Sequence, residues 1–176
     1  MAVDVEPTQS QLLTKLVAFV ADILPAGTKV VQGLGNRVPP PTGPFAAITV
    51  LNQRRLATND EAYTDDYPYF GTRNVSASWQ VNVQVDFCGP ESGNWASAFC
   101  TLFRDDYGCD ALAPECQPLY ADAPRLAPWV SSESQWVHRW TVTAALNWRE
   151  LVTVSQQFAD ALHVDLIEVD AEFPPS

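Results

Sequence analysis

The chain has 176 residues, enough for one domain and for a sizeable core, and its apolar fraction of 47% is ordinary for a globular protein. The formal charge is −11, with 21 acidic against 10 basic residues, and only Lys15 and Lys29 among the latter are lysines. This balance repels nucleic-acid backbones and argues against a DNA- or RNA-reading role; no run of about twenty apolar residues offers a membrane span, and residues 1–10 lack the basic and then apolar pattern of a secretory signal.

Residues 8–24 are predicted to form an amphipathic helix. Leu12, Leu13, Leu16, Val17, Val20, Ile23 and Leu24 fall on one side at helical spacing. Thr8 and Gln11 make a capping box, and Pro25 and Gly27 end the run. A short strand is predicted over 28–32. Gly33-Leu34-Gly35-Asn36 and Pro39-Pro40-Pro41 then read as turn and extended loop. Gly33-x-Gly35 lacks the third glycine of a dinucleotide fingerprint, since Val38 stands there. Prolines also follow where the phosphate-binding helix would have to begin.

Residues 45–52 are apolar on both faces, which predicts a central strand. From 53 to 71 the periodicity disappears while Asp, Asn and Tyr accumulate, which predicts a long functional loop, mobile alone and ordered in an assembly. Tyr63, Tyr67, Tyr69 and Phe70 would give it groups to bury against a partner.

Residues 75–87 alternate without a break. Val75, Ala77, Trp79, Val81, Val83, Val85 and Phe87 form one face, and the residues between them are polar. Gly89-Pro90 is predicted to start a second helix, with Trp95, Phe99, Leu102 and Phe103 as its stripe and Gly108 as its stop. Residues 111–128 read as irregular, with a brief strand at 119–121. A second alternating strand covers 134–148 and continues toward Val154, with Trp136, Trp140, Val142, Ala144, Leu146 and Trp148 on its apolar face. A helical turn over 156–162 and a strand over 163–169 complete the predicted elements.

Each long alternating strand would run about 45 Å at about 3.3 Å per residue, against a usual strand of about 17–20 Å. Part of each should therefore leave the core and reach something else, most simply a neighbouring subunit. The predicted class is α+β: an antiparallel or mixed sheet with two helices on one face, spanning 1–176 as one domain, its long strands extending into a subunit interface.

Nothing in the pattern marks a catalytic, cofactor-binding or metal-binding residue. Cys88, Cys100, Cys109 and Cys116 are unevenly spaced with no CxxC pair, so free thiols are expected, with Cys100 in the core. His138 falls between Trp136 and Trp140 and reads as a satisfied, partly buried histidine; His163 has Asp160 and Asp165 nearby but no third partner. No GxSxG or HExxH motif occurs. The acids gather in short groups, Asp60/Glu61, Asp65/Asp66 and Asp105/Asp106. They read either as ordinary solvated charge or as the lining of a conduit to which DNA must not adhere. Trp129, beside Pro128 in irregular chain, is the expected exposed anchor, while Trp79, Trp95, Trp136, Trp140 and Trp148 lie on apolar faces.

Three stretches carry a family resemblance: Val31-Gln32-Gly33-Leu34-Gly35-Asn36-Arg37-Val38-Pro39 with Pro44-Phe45, the strand from Trp79 to Asp86, and the ending from Val164 to Glu172. Together they resemble the neck and tail-terminator proteins of tailed bacteriophages, over about residues 8–175. The resemblance implies a structural virion protein with no cofactor. It would be a ring, commonly of six copies, that caps the tail tube, meets the head-side connector or stopper, and lets genomic DNA pass without specific binding. It further implies the tail-tube protein and the tail-sheath protein as partners, with assembly in the host cytoplasm and no membrane. A tail-tube subunit or head–tail adaptor, and a small bacterial enzyme or ligand-binding domain, are the competing readings.

Overall fold

The computed structural model describes residues 3–33, 39–66, 70–114, 116–130 and 135–156. In chain order the elements are β1 (Asp4–Glu6), α1 (Gln9–Ile23), β2 (Lys29–Gln32), β3 (Phe45–Arg55), β4 (Asp60–Asp66) and β5 (Phe70–Cys88). There follow α2 (Ser92–Phe103), α3 (Asp106–Leu112), β6 (Cys116–Ala121), β7 (Arg125–Leu126), β8 (Trp129–Val130), β9 (Trp136–Val137) and β10 (Arg139–Gln156). The fold is α+β, with a mixed sheet as its body.

The spine of that sheet is the antiparallel pair β5/β10, in unbroken register from Arg139↔Cys88 to Gln156↔Gly71. With 19 and 18 residues, each strand runs about 60 Å, longer than its alternation alone suggests. Along one half of the spine β3 flanks β5, with β2 beyond it in parallel, while β6 and β7 flank β10. Along the other half β4 flanks β5 and β1 flanks β10. β8 and β9 form a separate two-stranded hairpin that leads into β10.

The helices bury one face of the first half. Leu12, Leu16, Phe19 and Val20 of α1 and Ala96, Phe99 and Phe103 of α2 pack with Val81, Val83, Val85 and Phe87 of β5 and Val142, Ala144, Leu146 and Trp148 of β10. The Phe99 and Phe103 rings stack at 5.1 Å between centroids, and Phe19 and Phe87 each meet Phe99 at 5.8 Å. Such contacts add about 0.5–1.5 kcal/mol each beyond their burial. The predicted capping box is present: Gln11 N–H donates to Thr8 Oγ1 at 3.3 Å, and Thr8 N–H donates to Gln11 Oε1 at 2.5 Å.

Polar residues fill the opposite face of the same strands. Thr141 Oγ1 and Gln84 Nε2 donate to Asp86 at 2.6 and 2.9 Å. Asn82 Nδ2 donates to Asn52 Oδ1 at 2.8 Å, and Arg54 to Gln80 at 3.0 Å. This cross-strand network is the reason the period-two pattern is so clean: one face needs apolar packing and the other pairs amides.

Several expectations are corrected. The predicted 53–71 loop is the far end of β3, a short connection and the edge strand β4. β3 and β4 follow one another antiparallel to β5, and Leu56 N–H donates to Ser78 O at 2.9 Å between them. Alternation is absent from β4 because both its faces meet solvent, and backbone pairing along β5 organises it. Gly108 does not stop α2, which ends at Phe103; it lies inside the third helix, α3. A Cβ at Gly108 would come within 2.6 Å of Leu102 O and 2.8 Å of Phe103 O, so glycine is what lets α3 sit on the end of α2. Pro90 precedes the N-cap residue Glu91, outside the first helical turn. β6 and β7 order part of the segment read as irregular, because the free edge of β10 supplies partners for their backbone. Gln156 ends β10, and the turn and strand predicted from there to 169 otherwise lie outside the described residues.

Candidate assembly surfaces

Trp79 and Trp148 are the last positions of the spine that pack against the helical layer. Beyond them, residues 70–78 of β5 and 149–156 of β10 continue for about 25 Å with β4 and β1 as flanks. No large apolar residue on this extension is fully buried among the described residues. Val5, Val152 and Val75 stand side by side across three strands of it, all half-buried. Four strands are thus paired in an arm that, among the described residues, no helix covers.

Side-chain ties stiffen the arm. Arg149 donates to Ser76 Oγ at 2.9 Å and to Asp60 Oδ2 at 3.0 Å. Glu61 receives Tyr63 Oη at 2.7 Å and Arg73 Nη2 at 2.5 Å. The tyrosine hydroxyl and then the guanidinium hold the Glu61 carboxyl below the ordinary glutamate range, and the same carboxylate pushes the Tyr63 hydroxyl up. These pairs are solvent-exposed, so they orient the strands more than they stabilise the fold.

The six acids singled out in the sequence divide between two places. Asp60, Glu61, Asp65 and Asp66 lie on β4, with Asp66 paired to Phe70 in the backbone register. Asp105 and Asp106 lie at the α2–α3 corner, where Asp105 caps α3 by accepting from Tyr107 N–H at 3.2 Å. Tyr63 is on β4 and 53% exposed. Tyr67 and Tyr69 lie outside the described residues.

Trp129 is not the exposed anchor. It is half-buried, while Trp136 on the partner strand is 73% exposed, the most open large apolar side chain among the described residues. The registers Trp129↔Val137 and Val130↔Trp136 explain the exchange. One pair turns inward and the other outward, because the alternation of β10 breaks at His138 and the hairpin starts anew. His138 is exposed, and its carbonyl accepts from Gly89 N–H at 3.0 Å. This correction was not readable from the alternation, which runs through the break. The hairpin's outward face is the surface that sequence reasoning missed.

The remaining chemistry is sparse. Among the described residues no three His, Cys, Asp or Glu side chains gather as a metal set, and no helix is long and apolar enough to cross a membrane. All four cysteines are free thiols. Burial and the neighbouring Asp86 push the Cys88 thiol up to about 11. Cys100 is half-buried against the core and donates to Asp122 O at 3.3 Å.

Among known protein families, the model described as phage neck terminator protein matches residues 10–173. No curated protein matches the chain.

Proposed function

The chain belongs to the phage neck terminator protein family, and from that premise we propose that it closes into a ring, commonly of six copies, at the head-proximal end of the tail tube. It is a structural protein of the phage neck, a virion component that works through contacts with other head and tail proteins. In this reading it acts as one domain over residues 1–176, is not an enzyme, and assembles in the host cytoplasm. One side of the ring seats the tail-tube protein and the other the head-side connector or stopper. The tail-sheath protein is a further neighbour, and genomic DNA passes through the middle.

The observation that carries this reading is the arm. Paired strands that run about 25 Å beyond their own helical layer, with half-buried valines across them, suit burial against a second copy. Different patches on the two sides of each copy generate a ring when the rotation closes. The net charge of −11 supports the passage: some of the carboxylates on β4 and at the α2–α3 corner line or rim the channel. DNA carries about one charge per 1.7 Å of axis, so basic walls would hold it, whereas acidic walls do not adsorb it.

Electron microscopy of the purified protein, alone and mixed with tail tubes, tests the reading. Closed rings that sit singly on tube ends are expected. Indefinite stacking into tubes would make it a tube subunit, and binding to the head-side connector without capping the tube would make it a head–tail adaptor.

A further inference from the structure

A cavity of about 470 Å³ opens at the root of the arm. It lies where the free edge of β10 passes from β6 to β1, since β6 pairs with β10 up to Trp148 and β1 resumes at Leu151. Pro7, Pro114 and Leu151 supply apolar walls, and Glu6 and Arg149 supply charge. The guanidinium of Arg149 donates to Ser76 Oγ and to Asp60 Oδ2. The volume is that of a site for one bulky group.

Trp136 stands on β9, just before the other end of β10. It precedes Arg139, where β10 begins, and Leu151 lies fifteen positions further along the chain. From Arg139 to Arg149 and Leu151, β10 alone runs about 33–40 Å at about 3.3 Å per residue, which keeps the hairpin and the cavity of one chain apart. On the outer face of its hairpin, Trp136 pairs with Val130, itself 48% exposed.

We infer that Trp136 of one copy fills the arm-root cavity of the next. This inference rests on the ring reading and names its contact. The two parts match chemically. Prolines and leucine suit the indole faces, Arg149 can stack on the ring, and the Glu6 carboxylate can accept the indole N–H. The knob lies on β9 before the start of β10 and the hole lies well along β10, so their pairing is between different patches, head-to-tail, the type that closes into a ring. A buried tryptophan covers about 150–250 Å², and such anchors dominate interface energies.

Native mass measurements on the full chain test this, for wild type, Trp136→Ala, Leu151→Trp and an equimolar mixture of the two variants, each free and with tail tubes. Both positions are exposed, at 73% and 40%, so both variants should melt like wild type. Wild type should give the closed oligomer. Each variant alone should stay monomeric, one lacking the knob and the other having a filled hole. The mixture should recover a complex of two chains and no larger, because only one of its interfaces is intact. An oligomer of wild-type size for Trp136→Ala overturns the pairing and leaves the ring reading standing. Loss of the oligomer without recovery of the two-chain complex also overturns it. A wild-type chain that is monomeric under every condition overturns the ring reading itself.

Discussion

Trp79 and Trp148 stand opposite each other across β5 and β10, at the point where the strands leave the helical layer. Both indole nitrogens are buried without an acceptor among the described residues, and Arg55 lies over the Trp79 ring at 5.8 Å. The pair closes the end of the core, so aromatic bulk matters here more than the indole N–H. Trp148→Ala should cost about 3–5 kcal/mol through lost burial and the cavity left behind. Trp148→Phe should cost much less, because it keeps an aromatic ring and removes an unpaired donor. Urea unfolding of the two variants measures both; equal losses would show that the N–H is paired.

Gly108→Ala should destabilise the chain by about 1–3 kcal/mol, the usual penalty for overpacking. The added methyl meets the Leu102 and Phe103 carbonyls at 2.6 and 2.8 Å, and backbone at a helix end cannot turn aside as a side chain would. Thermal melting checks this, and an unchanged midpoint would mean that α3 shifts freely against α2.

Glu61 should titrate below an ordinary glutamate, because Tyr63 and then Arg73 favour its charged form. A folded-state pKa below the unfolded value means that its favourable contribution is present above the unfolded value. The contribution is lost as pH falls through the folded one. Tyr63→Phe and Arg73→Ala should each return it toward the ordinary range, Tyr63→Phe by more. Carboxyl carbon shifts followed by NMR from neutral to acidic pH would reveal both effects.

Thiol reagents should discriminate among the four cysteines. Cys109 is exposed and should react first, whereas Cys88, buried and pushed up to about 11, should stay unreactive until the chain unfolds. Mass spectrometry of partially labelled protein reads the order. Labelling of Cys88 in the native state would show that the strand pair β5/β10 opens near its junction with the β8–β9 hairpin.

Most of the fold was legible from local pattern wherever one face of an element is apolar and the other wet. Helix α1 with its capping box, the edge strand β2, and the two alternating strands follow from residue spacing, because burial of one face imposes a period that the sequence must carry. The alternation also implied the overlong strands, since its length exceeds what a small core can cover. The tertiary structure alone decided what local pattern cannot carry. β4 is ordered by hydrogen bonds to β5 and shows no period, since neither of its faces is buried. The α2–α3 corner depends on one close backbone approach at Gly108. The exposed tryptophan is Trp136 and not Trp129, because a single break at His138 resets which face turns outward, and a one-residue shift in a strand exchanges its two faces.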